Sequence, residues 1–262
     1  MKKLLYTAVA ACLALSMCAC AGKGVSVSVA KSSGTTDSAV SAQETTKAPV
    51  AGDFVETKTE RHLPGTFNFL ITGEKRQAEG SVPNRIPRLL LTSADAQRIN
   101  EEIASAYDSL LEQLEEAAAT HPMGRIDYVA YLNGNILSLA IESRSVDTPN
   151  STFNVYNLDV TTGKELSYEE TAALSDKGLS NAQAEVIAAI NELFDDMAQN
   201  GAPNKIIEQA RSSSISEENL SKVKYYFNGE GKLTAAFRYT GVAGASDYGE
   251  IAVLSNEFSS QS

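Results

Sequence analysis

Residues 92–117 read TSADAQRINEEIASAYDSLLEQLEEA, and residues 126–141 read IDYVAYLNGNILSLAI. In the first stretch Ala96, Ile99, Ile103, Tyr107, Leu110, Leu114 and Ala117 recur at spacings of three and four, while Glu101, Glu102, Asp108, Glu112, Glu115 and Glu116 fill the other faces. That pattern predicts an amphipathic helix of about 25 residues, roughly 37 Å long, with one face packed and the other acidic and wet. Thr92 stands where it can cap the helix, and Asp95 lies near its positive end. In the second stretch two apolar runs, Ile126 to Leu132 and Ile136 to Ile141, flank Asn133-Gly134-Asn135, residue types that tolerate the positive φ of a tight hairpin. A long helix followed by an antiparallel hairpin sets the fold class.

Working outward, Phe153, Val155, Tyr156, Leu158 and Val160 form a third strand that ends at Thr161-Thr162-Gly163-Lys164 and extends the hairpin to a meander. On the N-terminal side, Thr66 to Ile71 and Ile86 to Leu91 read as strands. On the C-terminal side, Ser167 with Glu170 forms a capping box for a short helix, and Ser180 with Gln183 repeats it for a longer one carrying Val186, Ile187, Ile190, Leu193, Phe194 and Met197. Asn200-Gly201 stops that helix. A helical piece at Lys205 to Arg211 precedes strands at Lys224 to Asn228, Leu233 to Tyr239 and Ile251 to Leu254. The expectation is an α+β fold in two parts, antiparallel sheets packed with one long and one medium helix.

The termini of this pattern carry location rather than chemistry. All three cysteines, Cys12, Cys18 and Cys20, fall in the first 20 residues. Lys2 and Lys3 precede an apolar stretch from Leu4 to Met17 that is too short to span a bilayer, and Cys18-Ala19-Cys20-Ala21-Gly22 is a small-residue end. Residues 1–19 are thus expected to be a signal peptide of the lipoprotein type, with Cys20 as the lipid attachment residue because Ala19 precedes it. Cys18 is the alternative, and an ordinary secretory signal with incidental cysteines is a third reading. Residues 20–60, rich in Ser, Thr, Ala and Lys, are expected to be a disordered tether, and residues 61–262 the folded domain. The location expected is extracytoplasmic, anchored by lipid to the bacterial cell membrane.

The net charge is −11, and about −13 once a signal carrying Lys2 and Lys3 is removed. Such a surface argues against nucleic acid, whose phosphates need Lys and Arg, and favours a cationic partner. With every thiol in or next to the signal, the domain has no disulfide to lean on and must stand on its core.

Several stretches resemble a bacterial extracytoplasmic domain family, the region shared by the anti-sigma factor RsiV and the N-terminal part of the peptidoglycan deacetylase PdaC. The residues are Ile86-Pro87-Arg88-Leu89 with Ala96, Ile99-Asn100 and Ile103, then Val155-Tyr156-Asn157-Leu158-Asp159 with Thr162-Gly163-Lys164-Glu165-Leu166. Further on stand Tyr225-Tyr226-Phe227-Asn228 with Gly231-Lys232-Leu233, and Ala243-Gly244-Ala245 with Tyr248. The resemblance spans roughly residues 65–256 and implies an α+β recognition module, which in the anti-sigma relative receives lysozyme. Neither relative's headline activity is expected here. The apolar stretch begins at Leu4, leaving no cytoplasmic segment to hold a sigma factor, and a deacetylase metal site needs more than the two histidines, His62 and His121.

Candidate chemistry is sparse. Asp159 to Glu165 places oxygen side chains at alternate positions but lacks the Gly and Glu of a calcium loop, so a hairpin turn is expected. His121 reads as a cation at a helix C-terminus. Glu101-Glu102, Glu115-Glu116 and Glu217-Glu218 are expected on solvated helix faces. Tyr128, Tyr131, Tyr156, Tyr225, Tyr226, Tyr239 and Tyr248 divide between core positions and any that face outward as a stacking surface. Ala243 to Gly249 reads as a flexible turn, and Ser246, Asp247 and Tyr248 within it are the candidate ligand loop. No catalytic residue, metal site or cofactor is expected. The function expected is a non-catalytic binding module for peptidoglycan or a lysozyme-like cationic protein; the alternatives are a carboxylate-dependent cell-wall hydrolase and a passive structural lipoprotein.

Overall fold

The computed structural model describes residues 48–72, 76–120, 124–146, 150–242 and 247–259. These fall in a single compact unit, Lys47–Ser262. Cys18, Cys20, His121 and Ser246 lie outside the described residues.

The α+β class is observed. The strands form three antiparallel sheets. The first is a long hairpin of β1 (Val55–Phe69) and β2 (Arg76–Leu89); the second orders β3 (Arg125–Asn133), β4 (Ile136–Arg144), β5 (Thr152–Asp159) and β6 (Lys164–Leu166) as a meander; the third is β7 (Lys224–Phe227), β8 (Lys232–Thr240) and β9 (Asp247–Glu257). The helices are α1 (Ala94–Ala117), the short α2 (Tyr168–Ala173), α3 (Gly178–Gln199), α4 (Asn204–Ser214) and α5 (Glu217–Leu220).

The second and third sheets are covered because their side chains alternate. On β4, Leu137, Leu139 and Ile141 point into a core shared with Ile99, Ile103, Tyr107, Leu111 and Leu114 of α1. The opposite face of β4 presents Ala140 to a smaller core with Phe153, Val155, Tyr226 and Ala236. Tyr225 and Phe227, on the other face of β7, join Val186, Ile190 and Phe194 of α3 and Ile207 and Ala210 of α4. The order of layers is therefore α1, the meander, the third sheet, and the remaining helices. Polar side chains seal the joint between the two sheets: Ser138 Oγ accepts from Phe227 N at 3.1 Å, and Asn157 Nδ2 donates to the carbonyl of Tyr225 at 2.8 Å.

Several boundaries differ from the sequence expectation, among them β2, which begins at Arg76 rather than Ile86. The expected tether ran to residue 60, yet β1 begins at Val55, which is buried and pairs with Leu89. Residues 56–62 look like tether because nearly all of them are exposed on the hairpin. The cap of α1 is Ser93, whose side chain accepts from Ala96 N, rather than Thr92. The start of α3 is Gly178 and not Ser180, since Asn256 of β9 donates both to Ser175 Oγ and to the Gly178 carbonyl and so sets the first turn. Finally, Asp247, Tyr248 and Gly249 belong to β9 rather than to a turn, because Tyr248 pairs with Tyr239 and Asp247 with Thr240.

Other local readings hold. Ser167 and Glu170 form the capping box of α2. Asp159 to Lys164 is the β5–β6 turn, in which Asp159 Oδ1 accepts from Thr161 N and Thr162 N and Gly163 takes φ +70°. The three Glu pairs on helices are exposed.

Candidate functional site

Two concavities meet on β9. The first forms where three chain segments converge on its start. From β8 comes Tyr239, whose ring stacks on Tyr248 with centroids 5.6 Å apart and planes 22° from parallel. From the beginning of β5 come Asn150 and Ser151; Asn150 Nδ2 donates to the carbonyl of Asp247 at 2.9 Å. Gly249 permits this approach, since a Cβ there would sit 2.2 Å from the Ser151 carbonyl oxygen. The end of β1 supplies Asn68 and Leu70, and Gln77 of β2 lies opposite. Between them is a cavity of about 410 Å³, with Arg144 on one wall and Glu250 at the rim.

Below the cavity lies a buried polar group. Glu142, with no exposed surface, accepts from Leu70 N at 2.9 Å, Ile71 N at 3.0 Å and Ser151 Oγ at 2.6 Å. Burial pushes its pKa above the ordinary value, against the pull of those three donors. Burial also pulls the Arg144 guanidinium down, opposed by the charge of Glu142. That guanidinium lies 4.7 Å from the Phe67 ring centroid, and Arg125 lies 4.7 Å from that of Phe69. Arg125 is 1% exposed, its ion pair to Asp127 is long at 3.5 Å, and burial lowers its pKa to about 10. Phe67 and Phe69, edge to face at 4.9 Å, thus carry two stacked arginines.

The second concavity is a cleft of about 590 Å³ between α3 and the β8–β9 face. Leu193, Phe237 and Ala252 form its apolar floor; Glu192, Asp195, Asp196 and Glu250 surround it. Glu192 and Asp196 are exposed, and Asp195 is held by Arg211 at 2.6 Å. Cross-strand pairing of Phe237 with Glu250 places that carboxylate on the cleft face of the sheet, so it borders both concavities.

Of the residues singled out in the sequence, Asp247 and Tyr248 do stand at the first concavity, Tyr248 as lining and Asp247 through its backbone. Tyr239 joins them. Tyr107, Tyr156, Tyr225 and Tyr226 are core. His62 is far from both sites in role, on β1 with its ring nitrogen 2.8 Å from Glu60 Oε1. Arg144, Asn150, Ser151 and Glu142 were not anticipated. One signal for them exists: Ser138 and Glu142 are polar at the same face of an otherwise apolar strand, which marks a face that buries hydrogen bonds. Among the described residues no three His, Cys, Asp or Glu side chains are grouped so as to hold a metal ion. No helix among them is long and apolar enough to cross a membrane.

What the geometry defines is a layered α+β domain with a polar, arginine-walled cavity and an acidic cleft sharing one strand. No protein-family model matches this chain, and no curated protein matches it.

Proposed function

We propose that this chain is a lipid-anchored extracytoplasmic binding module, non-catalytic, that receives a cationic wall-active protein such as lysozyme on the cleft between α3 and β9. The observation that carries the reading is the cleft itself, with an apolar floor of Leu193, Phe237 and Ala252 inside a rim of Glu192, Asp195, Asp196 and Glu250. A desolvated apolar centre inside a charged rim is how protein interfaces divide affinity from steering. The net charge of −11 adds a long-range field of the same sign. The lipoprotein-like signal and the resemblance to a domain family whose anti-sigma member receives lysozyme support the location and the class of partner.

Calorimetry of the full chain in detergent with hen lysozyme, at low and at raised salt, tests this. Binding that weakens as salt rises, and that falls about tenfold or more when Glu192→Lys and Asp196→Lys are combined, is expected. No heat at low salt, or binding indifferent to the double variant, would overturn it. Turnover of peptidoglycan by the purified chain would instead favour the carboxylate-dependent hydrolase, which needs two carboxyl groups facing across a substrate.

A further inference from the structure

We propose that the cavity between the start of β5 and the start of β9 is a second binding site, for a small carboxylate-bearing ligand whose anionic group sits on Arg144 and whose body lies on the Tyr248 ring. The proposal does not depend on the cationic-protein reading, because the two sites share only Glu250.

Arg144 is the starting point. Its guanidinium lies 4.7 Å from the Phe67 ring centroid, yet among the described residues its one hydrogen bond, from Nη2 to Ser151 Oγ, is long at 3.4 Å, and the buried Nε has no acceptor. Among the described residues no carboxylate lies within ion-pairing distance of it. Glu142, whose charge opposes the lowering of Arg144, already accepts from two backbone N–H groups and the Ser151 hydroxyl. A guanidinium offers five donors in a planar fork that matches a carboxylate edge. Leaving the buried Nε without an acceptor is costly unless a ligand supplies one.

Asn150 adds a second unmet need. The residue is 8% exposed, its Nδ2 is taken by the Asp247 carbonyl, and its Oδ1 has no donor. The ligand should therefore bring an N–H or O–H alongside its carboxylate. Glu142 beneath and Glu250 at the rim repel a dianion about twice as strongly as a monoanion, so beside the single guanidinium of Arg144 the charge balance favours a monoanion. The flat wall of Tyr248, backed by Tyr239, suits the face of a sugar ring or a short side chain. A volume of about 410 Å³ is that of a small-molecule pocket. Two sources present this chemistry in a cell envelope: a carboxylated N-acetyl sugar, and the carboxy-terminal end of a short acylated peptide.

The test titrates the full chain in detergent, by calorimetry, with N-acetylmuramic acid, with N-acetyl-D-alanyl-D-alanine, with N-acetylglucosamine as the ring lacking a carboxylate, and with inorganic phosphate. Binding of either carboxylate in preference to both controls is expected, and which of the two binds assigns the source. Arg144→Gln should weaken it about tenfold or more, while the Glu192→Lys, Asp196→Lys double variant leaves it unchanged. Should Arg144→Gln not fold, as judged by thermal unfolding, Tyr248→Ala at the outer wall supplies the same readout. The proposal is overturned by any of three results: no binding of either carboxylate at millimolar concentration, binding that survives both variants, or tighter binding of phosphate than of the carboxylates.

Discussion

Glu142 shows how a single residue ties three segments together. Its carboxylate ends the β1 strand by accepting Leu70 N and Ile71 N, and it positions the β5 start through Ser151. Because acceptors are all that this pocket requires, Glu142→Ala leaves three donors unmet and should cost about 3 kcal/mol, read as a lower urea midpoint. Glu142→Gln retains one acceptor oxygen and an uncharged shape and should cost much less. The sign with pH distinguishes them further. A carboxyl whose folded pKa is raised contributes its full stability below the ordinary value of 4.5 and loses it as pH rises through the folded value. Relative to the native chain, the Gln variant should therefore gain stability as pH climbs from about 4 to neutrality; a constant difference across that range would contradict a raised pKa. In the sequence, Glu142 is visible only as a polar residue on an apolar strand, and nothing local names its partners at positions 70, 71 and 151.

Among the elements, α1 is the one most nearly written in local sequence. Periodicity identified Ala96, Ile99, Ile103, Tyr107 and Leu114 as the packed face, all of which are buried. Leu111 is buried and Leu110 only partly, because the packed stripe is wider than a strict three-four repeat. Ile103→Ala should lower stability by about 3 kcal/mol through a cavity against the meander, whereas Ser93→Ala should cost about 1 kcal/mol through the cap. Thermal unfolding of both variants checks the ranking, and an equal or reversed effect would show that burial does not dominate this helix. Element ends are less legible. Thr92 and Ser93 are both competent caps, and only the chain path from β2, held by Asn100 Oδ1 accepting from Leu89 N and Asn100 Nδ2 donating to the Leu89 carbonyl, selects Ser93. Strand β9 reaches back to Asp247 since β8 offers partners that far; a Gly- and Ala-rich approach otherwise reads as loop.

The whole molecule buries tyrosines in all three of its larger cores, with consequences in alkali. Burial raises Tyr107, Tyr168 and Tyr225 to about 12 from an ordinary 10.0, and raises Tyr156 and Tyr226 further. The stability that a raised tyrosine contributes is complete below pH 10 and is lost as pH rises toward 12. Arg125, lowered to about 10, works in the opposite direction, as do Arg144 and Lys224, which burial also lowers. Unfolding should therefore accompany tyrosinate absorbance between about pH 10 and 12, followed together with circular dichroism; tyrosines ionising near pH 10 in a chain of unchanged dichroism would show that they are solvated. The proposed lipid anchoring belongs to the full chain as well. Cys20→Ala should abolish metabolic lipid labelling and release the protein from the membrane fraction, while labelling lost only in Cys18→Ala would move the attachment residue.

By itself the sequence determined the α+β class, the packed face of α1, the β3–β4 and β5–β6 turns and the capping box of α2. Each rests on interactions within about one helical turn or one hairpin, where propensity and stereochemistry act without distant partners. Tertiary structure alone decided where β1 and α3 begin, which face of β4 would bury Glu142, and that Asn68, Arg144, Asn150, Tyr239 and Tyr248 would line one cavity. Those residues lie on or beside strands of all three sheets and meet only when the sheets pack, and Asn150 is tied to the Asp247 carbonyl 97 positions away, beyond the reach of any local pattern.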